Sequence, residues 1–399
     1  MRAPHIAIFS AAYASAVNPT LSVVASLVRR GFRVSYVTSE RFRSAAAALG
    51  AEFVPCPSFP TSDEQPGRYH NHERVLVDLA ERALPQVRAF YKANRPALVI
   101  YDLLSLAGRI VAHELGVAAI QTSSALALDK ELIESQLPAR ELREEILDDA
   151  RDTDAFLARH GIVGNFPFHR EGLNIYFYPK LFQLAGSPAD PRCFFAARCT
   201  AEQPYARQWT AEQAGDRPIV LVSGSTLYVQ GPDYFKMCIE ALSGLSWHVV
   251  LAIGNNNSRE SLGPLPPHFE IFQHMPQIQV LPRADLLICL GGTSTSVEAM
   301  YHGVPMLMIT HGFQEPELYA ENMAKLGVGR HLGKESTNVV RIRQAALEIL
   351  NDKAMHNNVR RMQHLVQREP GAEETVNRIT EYLELSRCDS VGAGRALGC

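Results

Sequence analysis

A glycine- and hydroxyl-rich turn, Gly291-Gly292-Thr293-Ser294-Thr295-Ser296-Val297-Glu298-Ala299, follows the apolar run Asp285 to Leu290 and leads into a segment of helical period. Unpaired backbone N–H groups at such a helix start, the positive end of its dipole and the nearby hydroxyls together suit a phosphate or diphosphate. The same residues also describe a helix whose Ser and Thr side chains cap only their own backbone, and spacing alone does not choose between the two. Among the histidines, His113 falls inside a helical pattern, His302 in a helix-ending His-Gly-Val-Pro turn, and His311 just after a strand, where it has a route to a sugar or phosphate. No His-x-x-x-His pair or acidic cluster stands at metal spacing, so metal dependence is not expected. No G-x-G-x-x-G or Walker pattern follows the first strand, which sets aside the strongest nucleotide signatures of dehydrogenases and P-loop enzymes.

These residues sit on a regular alternation of short apolar runs and amphipathic segments. The first half predicts strands at His5 to Ser10, Arg33 to Thr38, Ala97 to Asp102 and Val117 to Thr122. Its helices are predicted at Asn18 to Arg30, Arg41 to Leu49 and Leu106 to Leu115. A second cycle predicts strands at Ile219 to Ser223, Trp247 to Ile253, Asp285 to Leu290 and Pro305 to Thr310, with helices at Tyr234 to Leu242, Thr295 to His302 and Glu317 to Leu326. Strands apolar on both faces imply parallel sheets covered by helices on each side. The expected fold class is therefore α/β, two Rossmann-like doubly wound domains facing across a cleft, hinged in the polar stretch Thr200 to Asp216. Ligands of such sheets lie beyond the carboxyl ends of the strands, where the glycine- and hydroxyl-rich turn stands.

Composition narrows the partners. With 399 residues and 46% hydrophobic content the chain can bury a core in each half. Its 39 Lys+Arg nearly cancel 42 Asp+Glu, and the basic residues are scattered, which argues against nucleic acid or an anionic membrane. No apolar run reaches the length of a membrane span. Two A-x-A matches near the N-terminus imitate a secretory signal, but the apolar run Ile6 to Phe9 is too short, and the stretch reads as strand, loop and helix. Seven cysteines without a C-x-x-C pair read as reduced thiols, and a cytoplasmic location is expected. The charged stretch from Glu131 to His160 reads as a solvated helix face. Phe166, Phe168, Tyr176, Phe177 and Tyr178 supply core, with Phe166 and Phe168 also candidates for an apolar substrate wall. The Gly-rich tail Ser386 to Cys399 is expected to be mobile.

From about residue 4 to 386 the chain resembles the inverting GT-B glycosyltransferases, especially the bacterial macrolide enzymes related to the oleandomycin glycosyltransferase. In the first half the resemblance rests on His5-Ile6-Ala7-Ile8-Phe9-Ser10 leading to Val17-Asn18-Pro19, and on Tyr101-Asp102. In the second it rests on Val220 to Ser223, Met275-Pro276-Gln277, Ala284-Asp285-Leu286, Gly292 with Ser296 and Glu298, His302-Gly303-Val304-Pro305 and Leu326 to Gly329. It implies an acceptor-binding domain at 1–213, a nucleotide-sugar domain at 214–371, and at 372–399 a helix returning to the first domain plus a tail. It also implies a nucleoside-diphosphate sugar as co-substrate with no separate cofactor, a small hydrophobic natural product as acceptor, and a homodimer as an option. Carried over, the donor diphosphate would meet Gly292, Thr293, Ser294, Thr295 and Ser296 with Ser225 and Thr226. The nucleotide would meet Pro276, Gln277 and Glu298, and the sugar Glu315 and Gln314, with Tyr13 on the acceptor side.

Three positions depart from the family pattern. Ala16 stands where the catalytic His is expected, Leu290 where a His opens the diphosphate loop, and Pro316 where a Gln follows the sugar-binding acid. A general base is worth roughly 10²–10⁴ in rate, so the resemblance leaves Asp102 as the acid–base group and favours an acidic nucleophile such as a phenol or enol. A catalytically impaired relative, kept as a ligand-binding or auxiliary partner protein, is the alternative.

Overall fold

The computed structural model describes residues 3–57, 72–127, 129–131, 150–184, 189–199, 209–225, 230–254, 257–273, 275, 277–310 and 314–396, without the side chains of 72–73, 314–315 and 389–396. Among them, contacts divide the chain into two compact units, residues 3–199 with 370–396, and residues 209–369.

The first unit is built on seven parallel strands, β1 (His5–Phe9), β2 (Arg33–Thr38), β3 (Glu52–Pro55), β4 (Leu98–Asp102), β5 (Ala118–Ser123), β6 (Asn174–Tyr176) and β7 (Cys193–Phe195), in the order β3-β2-β1-β4-β5-β6-β7. Helices α1 (Ala14–Arg29), α2 (Arg43–Ala48), α3 (His72–Ala93) and α4 (Leu106–Leu115) connect them. Successive side chains of a strand point to opposite faces. Ile6, Ile8, Ile100, Ile120 and Ile175 thus pack with Val17, Leu21 and Val24 of α1. Phe9, Val99 and Tyr101 meet Leu84 and Val87 of α3 and Ile110 of α4 on the other face. β1 and β4 are buried along their whole length, as a doubly covered parallel sheet requires.

Helix α1 begins at Ala14, four residues before the sequence pattern places it, and Pro19 lies inside it. A proline there has no N–H to give to the carbonyl four residues back, which is that of Ser15. Ser124, just past β5, donates its hydroxyl to the Ser15 carbonyl at 2.6 Å and makes good that loss. A contact from 109 residues away thus permits a helical turn that local sequence argues against.

The second unit repeats the plan with β8 (Ile219–Ser223), β9 (His248–Ala252), β10 (Phe269–Phe272), β11 (Leu286–Cys289), β12 (Met306–Ile309) and β13 (Gly329–Leu332), all parallel in the order β10-β9-β8-β11-β12-β13. Its helices are α5 (Pro232–Leu242), α6 (Gln277–Val280), α7 (Thr293–His302), α8 (Gln314–Lys325), α9 (Val339–Asn351) and α10 (Lys353–Val366). Asn338 caps α9 by accepting from Arg341 N–H at 3.0 Å, and Asp352 caps α10 by accepting from Met355 N–H at 2.9 Å.

The last helix, α11 (Ala372–Ala396), belongs to the first unit. Its Val376, Ile379 and Leu383 join the core beside α1. Glu373 accepts from Ser26 Oγ at 2.8 Å and pairs with Arg30 at 2.6 Å. The tail expected to be mobile from Ser386 is helical through Ala396. Extending an anchored helix costs far less than starting one, which outweighs the poor helix formers of that stretch.

Candidate active site

Both sheets reverse strand order beside their first strand, between β1 and β4 in the first unit and between β8 and β11 in the second. Such a switch point opens a crevice at the carboxyl edge, and the candidate residues gather at these two edges.

In the first unit Phe9 pairs with Tyr101, so Asp102 lies one row beyond the last paired residue of β1. Asp102 is only 4% exposed. Burial pushes its carboxyl up to about 7, against the opposing pull of the Leu104 N–H and of the Tyr13 side chain, which hydrogen-bonds to it. The Leu104 N–H donates to Oδ1 at 3.0 Å. Tyr13 is the residue preceding α1, and Ala16 lies in the first turn of that helix. Tyr13, Ala16 and Ala11 form a small apolar cluster with Leu104 packed on it, at 8% and 2% exposure for Tyr13 and Ala16. Phe166, by contrast, is buried in the core between α3 and α4 rather than lining an open wall, and Phe168 in the same loop is half-buried.

In the second unit Gly291 adopts φ +89°, where a side chain is strained, and an added Cβ would stand 3.1 Å from Ala320 Cβ. Gly292 then precedes α7 with nothing within 4 Å of an added Cβ, and no side chain caps the helix. The Thr293 hydroxyl is buried without a hydrogen-bond partner, while Ser296 Oγ donates back to the Gly291 carbonyl at 3.3 Å. The turn thus shows features of both readings open in the sequence: Ser296 bonds to the turn's own backbone, while the Thr293 hydroxyl is left over. Leu290 is buried.

Next to the turn runs a polar chain. The Ser223 hydroxyl donates to Gln277 Oε1, and Gln277 Nε2 donates to Glu298 Oε2 at 2.6 Å. Burial pushes the Glu298 carboxyl up to about 7, and the Gln277 amide opposes that shift. Ser225 N–H donates to Gln230 Oε1 at 2.7 Å, and Asn257 Nδ2 donates to the Gln230 carbonyl at 3.0 Å. Gln230 and Asn257 carried no motif signal, because their contacts are set by the β8 edge and not by neighbours in sequence. Thr310 Oγ1, past β12, donates to Glu317 Oε1 of α8 at 3.1 Å and lies 3.0 Å from His331 Nε2, bracing the start of α8. Burial holds His331 below the usual imidazole range.

Thr226, Pro276 and His311 lie outside the described residues, as do the side chains of Gln314 and Glu315 and the acidic stretch 132–149. Among the described residues no group of three or more His, Cys, Asp or Glu is placed to hold a metal ion. No helix of theirs is long and apolar enough to cross a membrane. The buried thiols of Cys238 and Cys289 are pushed up to about 12 by desolvation, which makes them structural and not nucleophilic.

Residues 236–382 match the family described as erythromycin biosynthesis protein CIII-like, C-terminal domain. Over 394 residues the chain is 32% identical to the NDP-glycosyltransferase YjiC of Bacillus subtilis (strain 168), covering 97% of this chain and 99% of that one. The chain belongs to the NDP-glycosyltransferase family. This glycosyltransferase is also 29% identical to the oleandomycin glycosyltransferase of Streptomyces antibioticus, across 95% of its own length and 91% of the relative's. In structure it is similar to the glycotransferase of kitacinnamycin, with a TM-score of 0.79 at 27% identity, covering 96% of this chain and 100% of that one. The GT-B architecture of two parallel-sheet α/β domains follows. These relatives are named as transferases, and they do not favour the impaired auxiliary protein.

Proposed function

We propose that this glycosyltransferase moves a sugar from a nucleoside-diphosphate sugar to an acidic hydroxyl or activated carbon of a small hydrophobic natural product, with inversion, using Asp102 as the proton acceptor. The observation that carries the reading is the buried Asp102 carboxyl at the β1/β4 switch point, held near neutrality with no imidazole at position 16. A carboxylate of that basicity deprotonates a phenol or enol during attack far more readily than an alkyl alcohol. The acceptor's O–H or C–H proton passes to Asp102, its electron pair forms the bond to the anomeric carbon, and the pair of the breaking C–O bond leaves with the diphosphate.

Support for the donor half comes from the uncapped start of α7, the open space at Gly292 and the orphaned Thr293 hydroxyl, which together suit a diphosphate. The Ser223, Gln277 and Glu298 chain lies beside it, and its carboxyl suits ribose hydroxyls. The test has two arms. A panel of nucleoside-diphosphate sugars is screened by thermal melting, where a ligand at about a hundred times its Kd stabilises by about 2.7 kcal/mol. The sugar giving the shift is then offered with a phenol and an alkyl alcohol on the same ring system. Transfer to the phenol is expected to exceed transfer to the alcohol. Equal rates on both acceptors refute the acidic-nucleophile reading, and no shift with any sugar refutes the donor half.

A further inference from the structure

Ala16 and Tyr13 share one small apolar cluster. Ala16 carries a single methyl, and the Tyr13 ring packs against it together with Ala11 and Leu104. Tyr13 directly precedes α1, and its carbonyl accepts the Ala16 and Val17 N–H groups at 3.2 and 3.1 Å, so the backbone carrying the ring is fixed. Its side chain hydrogen-bonds to the Asp102 carboxyl, whose Oδ1 also accepts from Leu104 N–H. Among the described residues no ionic neighbour perturbs Asp102, and Arg41 donates to the Ala12 carbonyl of the same loop. A small residue at 16 and a large hydroxylated one at 13 thus stand side by side near Asp102.

Resting on the transferase reading above, we propose that Tyr13 relays the acceptor's proton to Asp102, doing with a phenol what an imidazole at position 16 would otherwise do. The Tyr13 oxygen accepts a hydrogen bond from the acceptor hydroxyl. As the acceptor oxygen bonds to the anomeric carbon, its proton passes to the Tyr13 oxygen, and the proton already on Tyr13 passes to Asp102. The C–O bond to the diphosphate breaks with its electron pair on the leaving oxygen. Tyr13 is neutral before and after, and the net transfer is one proton from acceptor to carboxylate. The arrangement also explains why Asp102 is buried at a tyrosine and not beside a cation: a neutral relay needs a carboxylate that is basic enough to receive the second proton.

Tyr13→Phe keeps the ring and removes only the hydroxyl. Its kcat is expected to fall by about 10- to 100-fold with donor KM unchanged. The acid limb of its rate profile is expected to move upward, because Asp102 loses a hydrogen bond that stabilises its charged form. Wild-type kcat with an unmoved limb overturns the relay. If Asp102→Asn is inactive in the same assay, Asp102 keeps its role and only the relay fails; if Asp102→Asn turns over normally, the base assignment fails with it. Should Tyr13→Phe melt well below the parent, the pair Tyr13→Ala and Tyr13→Ala/Ala16→His decides. Recovery of turnover by the added imidazole supports the relay, and no recovery overturns it.

Discussion

Each unit carries a carboxyl that burial has pushed up to about 7, Asp102 at the end of β4 in the first and Glu298 in α7, the helix after β11, in the second. Their surroundings differ. Asp102 is set among Ala11, Ala16 and Leu104, with a phenol and one backbone N–H as partners. Glu298 ends a chain of neutral amide and hydroxyl groups, Gln277 and Ser223, that has no proton to pass on at ordinary pH. The same perturbation therefore serves two purposes. On the proposed reading, the raised carboxyl beside an exchangeable phenol moves a proton, and the one beside an amide holds a ligand's hydroxyls in place. Basicity alone does not identify a catalytic group; the chemistry of its hydrogen-bond partner does.

The comparison is broken most directly by isosteric neutralisation at each end. Asp102→Asn is expected to lower kcat by about 10²- to 10⁴-fold while the donor's thermal shift persists. Glu298→Gln is expected to raise donor KM with much less effect on kcat, and steady-state kinetics with both substrates varied would expose a reversal of these roles. Next in size is Thr293→Val, which removes the orphaned hydroxyl without changing shape. If that hydroxyl awaits the diphosphate, donor affinity measured by calorimetry falls by about 1–3 kcal/mol, while the free protein melts no lower than the parent.

Titration of stability sharpens the same contrast. Both carboxyls have folded pKa values raised well above those of an unfolded Asp or Glu, so between about pH 4 and pH 7 the folded chain keeps protons that the unfolded chain has released. Their contribution is present at pH 4 and is lost as pH rises toward 7. Stability should fall across this window by up to about 1 kcal/mol per pH unit for each carboxyl, and denaturant melts of the Asp102→Asn/Glu298→Gln double variant should show a flatter dependence than the parent. The smallest effect concerns the turn that carries Tyr13 and Ala16. Ser124→Ala leaves the Ser15 carbonyl without its compensating donor and is expected to cost about 1 kcal/mol in the same melts, with a modest loss of kcat as the first turn of α1 loosens.

Much of the first shell was legible in the chain itself. Short apolar runs fixed the central strands β1, β4, β8 and β11, and with them the places where Asp102 and the Gly291 to Ser296 turn emerge. Doubly wound sheets put their ligands at such strand ends for a topological reason, so naming the strands nearly names the site. The short outer strands β3, β6, β7, β10 and β13 and the helices α3, α6, α9 and α10 went unread. Strands of three or four residues, and a helix as short as α6, give too few positions for a period to show, and amphipathic helices far from a motif attract no notice.

What the sequence by itself determined was therefore the identity and order of the candidate groups, including the absence of an imidazole at position 16, because these depend on residue type and on hydrophobic period. Only the tertiary structure decided what those groups touch. Tyr13 reads in sequence only as an acceptor-side loop residue and becomes a partner of Asp102 because parallel pairing brings the ends of β1 and β4, some ninety residues apart, to adjacent rows of one sheet. The first turn of α1 exists against the local preference of Pro19 because Ser124 supplies the missing donor. Hydrogen bonds and desolvation act through space, and no pattern along the chain carries the distances on which they depend.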